Sequence, residues 1–284
     1  MVPAIGILPR LTGLACLGLA AILPAVATAQ LPLAPIAKSG QTVTPVYEGW
    51  YRNPDGTFSL SFGYYNRNAA EVIEIPVGPD NFVAPGDSNQ GQPMRFEARR
   101  HWGVFAVKVP ANFGTTNKVT WTLKMRGETF SIPGSLHVDW EIDALAGEAG
   151  TGNTPPVIKL SSGGPEARGP GGAIAGPLTA TVGRPLSITI WATDDGLGEG
   201  SVAGGGRAAQ VALMWFKHQG PGTVTFGTPA PKPAAGDGMA TTTATFGKPG
   251  TYILRVRATD SSVSSSGHAQ CCWTNGFVRV TVSP

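Results

Sequence analysis

Charge is scarce in this 284-residue chain. Only 14% of residues are Asp, Glu, Lys or Arg, and the signs nearly balance at 21 basic against 18 acidic. A protein held on nucleic acid by phosphate contacts needs a basic surface, so that class is excluded. Cysteine is scarcer still, at three residues. Only Cys271 and Cys272 lie beyond residue 29, which rules out a disulfide-dense scaffold and a zinc site of four thiolates. The four histidines show no triad spacing, and G-x-S-x-G, H-E-x-x-H and a P-loop ending in G-K-[ST] are all missing. No stretch sustains apolar residues at i, i+3, i+4 and i+7, so no long amphipathic helix is predicted.

What is present is turn chemistry and alternation. The chain holds 39 Gly and 25 Pro without a G-X-Y period, which excludes collagen. Hydrophobic residues reach 42%, enough for a core and too many for a disordered chain. The combination predicts short strands joined by many turns.

The first 29 residues read as a cleaved secretory signal peptide. Arg10 is the only charge before Lys38, residues 11–29 are apolar or small, and Ala27-Thr28-Ala29 precedes Gln30 as an A-x-A site. An uncleaved membrane anchor is the alternative, since 19 apolar residues nearly span a bilayer; Pro24 and the A-x-A site favour cleavage. A lipoprotein through Cys16 is weaker, because Gly13 stands where the usual Leu would precede the Cys by three. The expected location is periplasmic, secreted or cell-surface, with membrane contact only through an uncleaved leader.

Beyond a flexible segment at 30–40, period-2 runs dominate. Residues 46–52 and 57–65 flank Asn53-Pro54-Asp55-Gly56, a hairpin turn in which Pro presets φ and Gly accepts positive φ. Runs at 72–77, 94–98 and 102–109 follow. Val119, Trp121, Leu123 and Met125 alternate with polar residues, and Gly127-Glu128 turns the chain into 129–132. A last strand places Leu136, Val138, Trp140 and Ile142 on one face, with His137, Asp139 and Glu141 on the other. About eight strands in 41–146 predict a β-sandwich. Gly147, Gly150, Gly152 and Pro155-Pro156 make 147–156 a linker. A second set, at 157–160, 178–182, 186–192, 211–217, 223–226, 241–246, 251–259 and 277–282, fills 157–284. The Gly-rich stretches at 161–177, 194–208 and 228–238 are read as excursions between strands.

Within that set stand Gly220-Pro221-Gly222-Thr223-Val224-Thr225-Phe226 and Pro249-Gly250-Thr251-Tyr252-Ile253-Leu254-Arg255-Val256, followed by Ala258-Thr259-Asp260. These runs resemble bacterial immunoglobulin-like modules of the polycystic-kidney-disease (PKD) and cadherin-like type. The resemblance covers about residues 155–284, and P-G-T-Y-x-L-x-V-x-A-x-D looks like the sixth strand of such modules. Tyr252 then stands at the corner where its hydroxyl can bond back to the backbone. The W-D-F-G-D-G stretch of PKD modules is absent, and Trp191-Ala192-Thr193-Asp194-Asp195-Gly196 sits near its place. The first half is similar to β-rich segments of uncharacterised secreted bacterial proteins, which implies no activity.

The resemblance brings the B–C and F–G loops to one pole. Asp194 and Asp195 close strand B and Asp260 closes strand F, a set of hard oxygen donors suited to Ca²⁺ or, equally, to capping turn backbones. No other cofactor is expected. The F–G loop carries His268, Cys271, Cys272 and Trp273. Three arrangements are open to the adjacent cysteines: a vicinal disulfide, one buried and one free thiol, or a soft-metal site with His268. An oxidising compartment favours the first. Trp273 either covers that corner or presents an aromatic platform. In the first half Trp50 and Tyr51 point to opposite faces, so one of them faces solvent, where it would stack on sugar rings, or faces the other half. His137, Asp139 and Glu141 form a polar strand face, and Arg99-Arg100-His101 a short basic cluster of the kind usual in solvated turns.

The sequence thus predicts an all-β protein of two β-sandwich domains, the second immunoglobulin-like, behind a cleaved leader. Its expected role is non-catalytic: binding, adhesion or structure, with an extracellular protein or polysaccharide partner and no nucleic acid. The alternative is an extracellular hydrolase, or accessory carbohydrate-binding subunit, acting on polysaccharide.

Overall fold

The computed structural model describes residues 36–147, 152–197, 211–260 and 272–284. The predicted leader, His268 and Cys271 lie outside the described residues, as do parts of the predicted linker and of the loops after Asp194 and Asp260.

The first half is built on β1 (Val43–Arg52), β2 (Phe58–Asn66) and β6 (Arg99–Val109), an antiparallel sheet in the order β1-β2-β6. The predicted hairpin joins β1 to β2: Asn53 N–H donates to the Thr57 carbonyl at 2.9 Å, and Gly56 takes φ +81°. Against it lies a second sheet, β4-β7-β8, made of β4 (Asn81–Ala84), β7 (Val119–Met125) and β8 (Glu128–Gly134). Arg126 and Gly127 form the two-residue turn between β7 and β8, both at positive φ, which matches the strand twist. A two-stranded ribbon, β3 (Ile73–Glu74) with β5 (Arg95–Phe96), closes the side.

Alternation delivers the core that was read from it. Val119, Trp121 and Leu123 are buried, and Trp121 meets Phe105 edge-on at 5.0 Å and Phe96 in a stack at 6.2 Å. Each fully buried side chain of this size contributes roughly 1.5–3 kcal/mol. The indole N–H of Trp121 donates to Asn81 Oδ1 at 3.0 Å, so its one polar atom is satisfied inside the core.

The strand expected over residues 136–142 does not form. The chain makes two 3-10 turns instead, η1 (Val138–Trp140) and η2 (Ala144–Ala146). Leu136 and Ile142 are buried as alternation requires, but Val138 and Trp140 are 71% and 50% exposed. The segment is held at its ends: Trp50 Nε1 donates to the His137 carbonyl at 2.8 Å, and Ile142 N–H to the Trp50 carbonyl at 2.7 Å. The His137, Asp139 and Glu141 strand face therefore does not exist; all three side chains sit exposed on a turn.

The second half is a two-sheet sandwich. One sheet has the order β13-β14-β11-β9, from β9 (Val157–Lys159), β11 (Leu186–Thr193), β13 (Val224–Phe226) and β14 (Met239–Phe246). The other runs β10-β16-β15-β12, from β10 (Ala173–Thr181), β12 (Ala212–Gln219), β15 (Gly250–Thr259) and β16 (Trp273–Ser283). In immunoglobulin terms these are the A-B-E-D and A′-G-F-C sheets. β10 pairs with β16 in parallel, and β15 with β16 antiparallel. Ile158, Ile190, Leu254, Val256 and Phe246 fill the space between the sheets. The chain around Pro177, expected to be an excursion, is instead the middle of β10. Proline is tolerated there because β10 is an edge strand, where a missing N–H costs no ladder bond.

The expected tyrosine corner is present. Tyr252 enters β15 fully buried, and its hydroxyl donates to the Lys248 carbonyl at 2.8 Å. Gly220 and Gly222 leave room for the ring; a Cβ on either would lie within 2.5 Å of it.

Candidate functional site

The strand ends bring Asp194, Asp260 and Cys272 to one pole of the second half, as the loop argument required. Asn153, fully buried beside them, donates from Nδ2 to Asp260 Oδ2 at 2.8 Å and lies 3.1 Å from Cys272 Sγ. Burial pushes the Asp194 carboxyl up to about 6, the Asp260 and Asp195 charges push the same way, and the Gly196 N–H pulls against them. Asp195 turns elsewhere. Its Oδ2 accepts from the Thr154 hydroxyl at 2.6 Å and the Thr154 N–H at 3.1 Å, and Arg168 donates to the same hydroxyl at 2.6 Å.

Among the described residues no three His, Cys, Asp or Glu side chains converge in a metal-holding group. Asp195 and Asp260 are hydrogen-bonded to Thr154 and Asn153, so carboxylates of the expected calcium set fasten the segment before β9. Cys272 is disulfide-bonded, which removes a free thiol or soft-metal role for this residue. It is buried at φ +126°, and its partner is outside the described residues.

The residues proposed as aromatic platforms are structural. Trp50 is 4% exposed and packs edge-on against Phe58 at 5.4 Å. Trp273 is 4% exposed and donates from Nε1 to the Gly103 carbonyl at 3.4 Å. Tyr51 faces the other half, where its hydroxyl accepts from Gly171 N–H at 2.8 Å. Trp50 is thus buried within the first half, whereas Trp273 and Tyr51 lie where the two halves meet.

These contacts belong to a polar seam joining the first half to the β10-β16-β15-β12 sheet. Arg100 donates to Glu48 Oε1 at 2.6 Å, and Glu48 Oε2 accepts from Gly103 N–H at 2.6 Å. The Gly103 carbonyl accepts from Asn275 Nδ2 at 2.6 Å. Asn275 Nδ2 also donates to Pro170, and Asn275 Oδ1 accepts from Arg255 Nη1 at 3.2 Å. Burial pushes Glu48 up to about 7, against the pull of Arg100 and the Gly103 amide. Burial also draws the Arg255 guanidinium down to about 9; it lies 4.5 Å from the Phe216 ring centroid.

A second set of contacts comes from the end of β12. His218 Nε2 lies 2.7 Å from the Gly91 carbonyl, and Met94 N–H donates to the His218 carbonyl at 2.8 Å. Gln219 Nε2 donates to the Gln92 carbonyl at 2.6 Å, and buried Lys217 pairs with Glu74 at 3.0 Å. Burial, reinforced by Arg255, lowers His218 to about 3, so its ring is neutral. His101 is not a solvated turn residue. It stacks on Tyr64 at 5.0 Å and meets Phe216 edge-on at 6.0 Å, and burial with the nearby Arg255 and Arg257 lowers it to about 3.

No known family profile and no curated protein matches the sequence. Among solved structures the chain is similar to domains 4 and 5 of the S-layer protein SbsC, with 11% identity over 59% of this chain and 66% of that one, at a TM-score of 0.24. It is similar to a nucleoside hydrolase-related hypothetical protein from Saccharophagus degradans associated with carbohydrate metabolism. There the identity is 14%, over 55% of this chain and 36% of that one, at 0.29. It is also similar to the D00-D0 domain of intimin, with 13% identity over 84% of this chain and 100% of that one, at 0.27. The chain thus spans less than two thirds of the first two. At these TM-scores the likenesses carry no argument, and the immunoglobulin-like assignment rests on the strand order and the Tyr252 corner.

Proposed function

We propose that this is an exported protein of the cell surface or extracellular space that works by binding or scaffolding, with its immunoglobulin-like module coupled to a second β-sandwich as one unit. The observation that carries this reading is the seam. Asn275, Trp273, Lys217, His218 and Gln219 bond directly across it to Gly103, Glu74, Gly91 and Gln92, while Glu48 with Arg100 on one side and Arg255 on the other hold these groups in place. Such coupling suits a part that must present surfaces at fixed spacing. The leader-like start supports export, and the P-G-T-Y-x-L-x-V-x-A-x-D run supports a PKD or cadherin-like subtype. The partner is an extracellular protein or polysaccharide.

The test is expression of the full chain with a C-terminal tag in a bacterial host, followed by fractionation, protease treatment of intact cells and N-terminal sequencing. The expected result is a tag outside the cytoplasm on a chain that begins at Gln30. A cytoplasmic chain that keeps residues 1–29 overturns the reading.

A further inference from the structure

The outer face of the β13-β14-β11-β9 sheet carries a cleft that none of the seam or pole residues enter. Its volume is about 340 Å³, and it is lined by Val157, Lys159, Ser162, Trp191, Thr193 and Asp237. That size falls at the small end of natural ligand pockets. Alternation along β11 explains the floor. Ile188, Ile190 and Ala192 point into the core, so Trp191 and Thr193 point outward. Pairing then sets Lys159 on one side of Trp191 and the 43%-exposed Met239 on the other, and places Val157 beside Thr193.

The walls are preformed. Ala192 N–H donates to the Gly238 carbonyl at 2.9 Å, and Gly238 sits so close that a Cβ would lie 2.2 Å from the Ala192 carbonyl oxygen. This close approach, which only glycine allows at φ +73°, fixes Asp237 next to the indole. Asp237 Oδ1 accepts from Met239 N–H at 3.0 Å, which sets the carboxylate's direction. On the opposite wall Lys159 is anchored to Glu166 at 3.1 Å.

The cleft therefore offers a partly buried indole on a paired strand, two hydroxyls, one carboxylate and one ammonium. The ammonium is paired with Glu166, so the site offers no free cation to an anionic ligand. A flat apolar face ringed by hydroxyls that both donate and accept is the complementary shape. A pyranose ring has this form, with C–H bonds on one face for the indole and equatorial hydroxyls for Asp237, Lys159, Ser162 and Thr193. We infer that the Trp191 cleft binds a neutral pyranose residue of a glycan. This inference rests on the binding-module reading, and it moves carbohydrate recognition from the first-half aromatics to the second half.

The test is saturation-transfer NMR and titration calorimetry on the full chain, with cellohexaose, xylohexaose, mannohexaose and chitohexaose, each to about 20 mM, a range that detects millimolar dissociation constants. At least one of these sugars is expected to bind. Trp191→Ala is expected to weaken it by at least about tenfold, and Trp191→Phe, which keeps a stacking face, by no more than about threefold. Thr193→Arg, which fills the cleft from an exposed position, is expected to abolish binding at an unchanged melting temperature. The inference is overturned if none of the four sugars binds, or if binding survives both Trp191→Ala and Thr193→Arg. Export and surface exposure are read independently, so a negative result here leaves the earlier reading standing.

Discussion

Gly103 lies flat against the indole of Trp273, with room for a hydrogen atom and nothing larger. A Cβ at position 103 would fall 2.6 Å from both Cζ2 and Nε1 of the ring, on a backbone already at φ +46°. The same glycine donates to Glu48 within its own half and accepts from Asn275 of the other, so its backbone is one of the points where the halves meet.

Gly103→Ala is therefore expected to displace the Trp273 indole and cost about 2–3 kcal/mol, as overpacking does in a buried contact. Urea denaturation followed by tryptophan fluorescence checks this. The midpoint should fall and the native emission shift to the red. An unchanged midpoint would show that the seam yields without strain.

Asn275→Ala should cost more than its side-chain volume suggests. The substitution takes this partner from the Pro170 carbonyl and the Arg255 guanidinium, and leaves the Gly103 carbonyl with only the longer bond from Trp273. The expected loss is about 2–4 kcal/mol, most of it desolvation of the groups left behind. Thermal denaturation of the full chain measures it, and a loss below about 1 kcal/mol would mean that water replaces the amide.

Tyr252→Phe isolates the corner bond. The ring and its packing against Phe246, at 4.9 Å between centroids, are kept, and the hydroxyl's bonds to the Lys248 carbonyl and the Gly222 amide are lost. A decrease of about 1 kcal/mol is expected, with no change in the denaturant slope.

Stability should respond to pH in two opposed limbs. His218 is lowered in the folded chain from 6.5 to about 3, so its contribution is complete above pH 6.5 and is lost as pH falls toward 3. Glu48 is raised from 4.5 to about 7, so its contribution is complete below pH 4.5 and is lost as pH rises through 7. Urea melts across this range should show His218→Gln flattening the acid limb and Glu48→Gln flattening the limb between pH 4.5 and 7. If both variants keep the wild-type profile, the seam is wetter than its burial indicates.

Most of the second half was legible because strands such as β11, β14 and β15 are alternating runs, and the Tyr252 corner follows from one local motif; the first half of β10 was hidden by its Gly and Pro residues. The segment at 136–142 misled for a physical reason. Leu136 and Ile142 satisfy the period of a strand, but the backbone between them pairs only in a single bridge from Glu141 to Trp50, and alternation does not encode pairing. Strand β4 escaped notice because four residues between Asp80 and Pro85 are too few to show a period. The seam was not legible at all. Asn275 and Gly103 are 172 residues apart, and His218 and Gly91 are 127 apart. A local trace did exist in Lys217-His218-Gln219, three polar residues that end an otherwise alternating strand and are all buried. The Trp191 cleft was hidden likewise, since Asp237 and Ser162 reach it only through the pairing of β11 with β14 and β9.

The parallel pairing of β10 with β16 fixes how the immunoglobulin-like module meets tension. Seven registered pairs run from Ala173 opposite Gly276 to Thr181 opposite Ser283. A pull applied between the start of β10 and the end of β16 drags the two strands past each other along their length. The cross-strand bonds lie across that direction and must give way together, whereas a hairpin pulled from its open end would unzip one pair at a time. Along that axis the pairs on either side of the Ala175/Leu178 irregularity share the load in shear, which is a matter of geometry and not of equilibrium stability.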